Sequence, residues 1–156
     1  MTANGTTADE PVLYRESFTI RGDDFEHGGD AAAAVKAAMK DLGLDAATVR
    51  RLSIANFEAE MNVIMYADEA RMDLLITPSA IRVVVADRGP GIADIDLAMQ
   101  EGYSTATAEM RARGFGAGMG LPNIKRSTDS FAIESTPGRG TTLRYAVTLT
   151  QNGAKP

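Results

Sequence analysis

The chain has 156 residues, 44% of them apolar and 24% charged, which is the make-up of an ordinary soluble globular protein of about one domain. A formal net charge of −5, a pI near 4.9 and the lack of any Lys/Arg cluster exclude a surface that holds nucleic acid through its phosphates. The absence of cysteine excludes disulfides and thiolate metal sites; no run approaches the roughly 18 apolar residues of a membrane span, and "MTANGTTADEP" has no signal-peptide pattern, so a cytoplasmic protein without a membrane partner is expected.

Residues 1–10 and 151–156 are small and polar and are expected to fray, leaving one folded unit over 11–150. "VLYRESFTI" (12–20) predicts a strand whose apolar members are Leu13, Phe18 and Ile20, and "RGDDFEHGG" a turn. An alanine-rich helix is predicted over 30–43, capped by Asp30 and stopped at Gly43. A second, longer helix starts at the cap Asp45 and reaches about Ala67. "LLITP" and "AIRVVVAD" read as an antiparallel pair divided by a Pro-Ser turn, the second strand deeply buried. A short helix at 93–100, a glycine loop and a helix over 119–128 follow; "SFAIEST", the turn "PGRG" and "TTLRYAVTL" close the chain as a hairpin. The outline is an α+β two-layer sandwich, three or four helices against one mostly antiparallel sheet.

Four short motifs carry chemistry. Glu58 and Asn62 are four apart on the long helix and share a face with the inward residues Leu52, Ala55 and Tyr66, whereas Glu60 is on the other side. They read either as a general base beside a Mg²⁺ ligand or as two polar residues at the edge of the core. In "VVVADRGPGI" a buried strand ends in Asp87, and Gly89 and Gly91 let the backbone approach a flat ligand. That carboxylate suits an exocyclic amine such as adenine's, and the same residues suit a plain strand exit. "GFGAGMG" sets Gly114, Gly116, Gly118 and Gly120 on alternate positions before a helix, which frees successive amides for a phosphate or simply makes a flexible loop. It matches neither the P-loop nor the G-x-G-x-x-G pattern. "PGRGTTL", with Gly138, Gly140 and Thr141, would by itself be an ordinary hairpin turn.

Taken in order, Glu-x-x-x-Asn, Asp-x-Gly-x-Gly, the Gly-x-Gly-x-Gly loop and Gly-x-Gly-Thr resemble the GHKL ATPase superfamily, which has the Bergerat fold, over about residues 12–150. The resemblance implies ATP and Mg²⁺ as cofactors. It makes Glu58 the base that activates the attacking hydroxyl or water, Asn62 the Mg²⁺ ligand and Asp87 the acceptor from adenine, with Gly89 and Gly91 shaping that pocket. Gly114, Gly116, Gly118 and Gly120 would belong to a lid over the phosphates, and Gly138, Gly140 and Thr141 to the far wall. The lone histidine, His27, sits in a turn and reads as a solvated residue rather than a phosphoacceptor. "EGYSTATAEM...GFGAGMGLPNIKRSTDSFAIESTPGRGTT" is most similar to the stand-alone anti-sigma and switch-protein serine/threonine kinases. That branch implies a kinase acting on a STAS-domain antagonist, or a silent nucleotide-gated module that sequesters a sigma factor; its members often dimerise, so a homodimer is compatible. "ATAEMRAR" (106–113) stands where many members are shorter.

Overall fold

The computed structural model describes residues 10–104, 106–108 and 119–149. In chain order these form β1 (Tyr14–Arg21), a single 3₁₀ turn (Phe25–His27), α1 (Asp30–Asp41), α2 (Ala46–Tyr66), β2 (Glu69–Ile76), β3 (Ala80–Arg88), α3 (Ile95–Ala98), α4 (Gly120–Ser127), β4 (Ser130–Thr136) and β5 (Gly140–Thr148). The expected tails lie outside the described residues except Glu10, whose carboxylate accepts from Ser79 Oγ at 2.8 Å.

The five strands form one sheet in the order β1-β2-β3-β5-β4, and every neighbouring pair is antiparallel. The predicted "LLITP" strand is corrected: β2 begins at Glu69, before the apolar run, and ends at Ile76. Its early residues looked like a loop because Glu69, Arg71 and Asp73 are charged. They alternate with Ala70, Met72 and Leu74, which are buried, so the segment is a two-faced strand of period 2. The inward row Phe18, Met72, Val85, Leu143, Ile133 crosses all five strands in register. The other face of the sheet carries surface ion pairs such as Arg71 with Asp73 and Arg144 with Glu134, each worth less than about 1 kcal/mol.

α1, α2 and α4 pack together, and α1 and α2 reach the inward sheet face. Val35 and Met39 of α1, Leu52, Ala55 and Ala59 of α2 and Ile124 of α4 are fully buried against the strand residues Leu74, Ile76 and Ile81. Each large aliphatic side chain so buried contributes about 1.5–3 kcal/mol. α2 begins as predicted: Asp45 accepts from the Thr48 amide at 3.1 Å and from its hydroxyl at 2.6 Å.

α1 starts differently from the expectation. Asp30 is its first helical residue rather than its cap; Gly29 occupies the cap position with φ +98° and offers no side chain. Glu60 of α2, predicted only as the outward contrast to Glu58, replaces it. This carboxylate is 2% exposed and accepts from the amides of Gly29 (3.0 Å), Ala31 (3.2 Å) and Ala32 (2.9 Å). A negative charge buried on the positive end of a helix is compensated there by three hydrogen bonds. Beside it Tyr145 donates to Asn56 Oδ1 at 2.7 Å, and burial, then the Glu60 charge, pushes the phenol well above its usual range. No helix among the described residues is long and apolar enough to cross a membrane.

Candidate functional site

Glu58 and Asn62 are half-buried on α2, one turn apart, and both line a cleft of about 700 Å³ between α2, the end of β3 and the segment leading through α3. Leu52 and Ala55 anchor that face of the helix in the core, whereas Tyr66 remains partly exposed. The first turn of α4 closes one side of the cleft. A Cβ on Gly120 would stand 3.3 Å from Asn62 Oδ1 and 3.7 Å from Glu58 Oε1, so the bare glycine lets α4 approach both side chains. From the same turn Asn123 Nδ2 donates to Glu58 Oε2 at 2.9 Å.

Asp87 is the last inward-facing residue of β3 and reaches the floor of the cleft. Its Oδ1 accepts from the Thr141 amide at 2.9 Å, across the β3–β5 pairing. Burial holds this carboxyl above its ordinary value; the Thr141 hydrogen bond offsets part of the effect and the charge of Asp68 adds to it. A second partner set extends the row: Ser135 Oγ lies 2.8 Å from Thr141 Oγ1, accepts from the Ile92 amide at 2.7 Å and donates to the Gly140 carbonyl at 3.2 Å.

The loop after Asp87 and the hairpin turn before Thr141 are joined by backbone. Gly89 N–H donates to the Arg139 carbonyl at 3.1 Å, and Gly138 N–H to the Pro90 carbonyl at 2.8 Å. Gly91 has φ +73°, and a Cβ there would lie 2.5 Å from the Thr136 carbonyl oxygen. At Gly140 the clash would be with the carbonyl oxygen of Asp87 itself, at 2.1 Å. The two glycine-bearing turns are thus packed too closely for side chains, and the wall they form has fixed depth.

The arrangement brings together Glu58, Asn62, Asp87, Gly91, Gly120 and Thr141 around one cleft. Gly89, Gly138 and Gly140 support its wall from behind. Gly114, Gly116 and Gly118 lie outside the described residues, as does most of the 106–113 insertion. His27 ends the 3₁₀ turn and pairs with Asp24 at 2.8 Å, an exposed contact that raises its pKa.

The cleft has the size of a small-molecule site, apolar along Val85 and Leu143 with a few polar groups at its ends. Asp87 is half-buried; one of its oxygens accepts from a backbone amide and the other is left to accept from a ligand, which suits an exocyclic amine. Among the described residues no group of three or more His, Cys, Asp or Glu could hold a metal by itself. The amide oxygen of Asn62 fits a hard cation such as Mg²⁺ that takes its remaining ligands from phosphate and water.

Sequence reasoning assigned no role to Asn123, Ser135 or Glu60. Asn123 was visible only as a polar residue in the first turn of the helix after the glycines, and Ser135 becomes a neighbour of Thr141 only through the β4–β5 register. For Glu60 there was no signal, because Asp30 looked like the cap of α1 and the amides that Glu60 meets lie about thirty residues away in sequence.

Comparison with known proteins agrees with this fold. The histidine kinase-like ATPase domain matches residues 23–147. The serine/threonine-protein kinase RsbT of Bacillus subtilis is 30% identical over 109 residues, covering 67% of this chain and 76% of that protein. An anti-sigma F factor of Caldanaerobacter subterraneus is 34% identical over 100 residues, or 61% of this chain and 66% of the relative. Another, from Thermoanaerobacter, is 36% identical over 92 residues, 56% of this chain and 61% of that one.

Proposed function

This chain belongs to the histidine kinase-like ATPase family, and we propose that it is a Mg-ATP-dependent protein serine/threonine kinase of a bacterial partner-switching pathway, phosphorylating a STAS-domain antagonist protein. The observation that carries the proposal is the convergence of Glu58, Asn62 and Asp87, from two distant segments, on one cleft. The serine/threonine kinase name of the Bacillus subtilis relative supports the same reaction class.

In this proposal the adenine amine donates to the free oxygen of Asp87, and Thr141 holds the other. Discrimination by a hydrogen bond to a charged group is worth about 1.5–3 kcal/mol. The acceptor serine or threonine hydroxyl gives its proton to Glu58 as its oxygen bonds to the γ-phosphorus; the bond from that phosphorus to the β,γ-bridging oxygen breaks and ADP leaves with the electron pair. Mg²⁺ would supply charge neutralisation on the phosphates, and Asn62 Oδ1 would be the protein atom to hold it. Transfer of this kind needs positioning and electrostatics more than covalent help, so a P-loop lysine is dispensable.

A two-part experiment tests the proposal. Calorimetry should give Mg-ATP binding by wild type and affinity at least about tenfold weaker in Asp87→Asn. Incubation with γ-labelled ATP and purified STAS-domain proteins should then label one of them on serine or threonine. The two relatives named anti-sigma F factor favour a second reading, a catalytically silent module that sequesters a sigma factor under nucleotide control. Mg-ATP binding with capture of a purified sigma factor, and no label on any acceptor, would select it.

A further inference from the structure

We propose that Asn123 is a positioning residue for Glu58: it pins Oε2 and so presents Oε1 to the acceptor hydroxyl. The inference rests on the reading of Glu58 as the base. A carboxylate only accepts hydrogen bonds, so the Asn123 atom at 2.9 Å must be the amide NH₂. An amide orients the carboxylate without neutralising it, which a lysine or arginine in this place would do. Glutamate has three side-chain torsions, and near-attack geometry requires that they be held; a misplacement of about 1 Å can cost on the order of 100-fold in rate.

Asn123 is itself well anchored. Its neighbours Pro122 and Ile124 are buried, and its own backbone N–H donates to the Met119 carbonyl at 2.8 Å. At the other end of α4, Arg51 of α2 donates to the Ser127 carbonyl at 3.1 Å and pairs with Asp129 at 2.7 Å. Arg51 and Glu58 are seven residues apart, two turns along the same stripe of α2. α4 is therefore clasped to α2 by one link at each end, and the link at the cleft end is the one that holds Glu58. Asn123 sits three residues beyond Gly120, whose missing side chain leaves room for this approach.

The test uses Asn123→Leu, which keeps the volume and removes the donor. With γ-labelled ATP and the purified STAS-domain proteins as acceptors, kcat should fall about 10- to 100-fold, while KM for ATP and the calorimetric Mg-ATP affinity stay within about twofold of wild type. In nucleotide-free protein the ¹⁵N side-chain amide resonances of Asn123 should move in Glu58→Ala, reading the contact without any acceptor. Wild-type kcat in Asn123→Leu, a parallel loss of Mg-ATP affinity, or unmoved Asn123 resonances would each overturn the positioning role. A wild type that binds Mg-ATP and labels no acceptor overturns the kinase reading instead, and this role with it, even where the resonances report an intact contact.

Discussion

Asp87 combines its proposed binding role with a stability cost. Its folded-state pKa lies above the ordinary value of 3.8, chiefly through burial, so the folded chain binds that proton more tightly than the unfolded one. The resulting contribution to stability is complete below the unfolded value and disappears as pH rises through the folded one, which leaves the bare carboxylate a net cost at neutral pH. Asp87→Asn keeps an oxygen for the Thr141 amide and removes the charge. Its melting temperature should exceed that of wild type at pH 7, with the difference closing as pH is lowered toward and below 3.8; a lower melting temperature at pH 7 would contradict the burial cause. The same variant should bind Mg-ATP at least about tenfold more weakly, because the proposed adenine contact would lose a charged acceptor. Glu58 separates differently: Glu58→Ala should reduce phosphoryl transfer by about 10²- to 10⁴-fold and leave Mg-ATP affinity within a few-fold, as measured by single-turnover labelling and calorimetry.

At the scale of elements, the start of α1 depends on a residue of α2. Three amides of the first turn converge on Glu60, and an unpaired buried donor costs about 1–3 kcal/mol. Glu60→Ala should therefore lower the melting temperature by roughly 6 °C or more, and hydrogen exchange should rise first at Ala31 and Ala32. A variant as stable as wild type would show that water replaces the carboxylate without loss. The contrast with Glu58, two residues earlier, is instructive. One carboxylate faces the cleft and one the core, because successive helical positions point about 100° apart and α1 lies against one side of α2 while α4 lies against the other. The β3 and β5 ends show a similar dependence between elements. Asp87, Thr141 and Ser135 form one polar row only because the antiparallel register sets those strand ends level, and a slip of one residue would turn Asp87 to the opposite face.

Across the whole molecule, the cleft draws on α2, on the end of β3 and on the start of α4, so nucleotide bound there ties parts of the chain that are far apart in sequence. At a Mg-ATP concentration of about 100 times Kd, binding stabilises the folded state by about 2.7 kcal/mol. For a chain of this length that corresponds to a rise in melting temperature of roughly 5–10 °C. Scanning calorimetry should show the rise in wild type and at most about half of it in Asp87→Asn; equal shifts in both would place the nucleotide elsewhere.

Local chemistry made much of this legible beforehand. Asp45 caps its helix through hydrogen bonds within three residues, and the hairpin of β4 and β5 is announced by "PGRG", so these needed nothing from the rest of the chain. The i, i+4 spacing of Glu58 and Asn62 and the position of Asp87 at a strand end follow from the periods of helix and strand in the same way. Partners distant in sequence were not legible, because no local pattern reports them: Glu60 under the start of α1, Asn123 on Glu58, Ser135 beside Thr141, and the charged first half of β2, whose alternation is completed only by pairing with β1 and β3. The sequence by itself determined which residues could do chemistry and on which kind of element each would stand. Tertiary structure alone decided which carboxylate faces the cleft and which the helix amides, since desolvation and hydrogen bonding act on the neighbours that packing supplies.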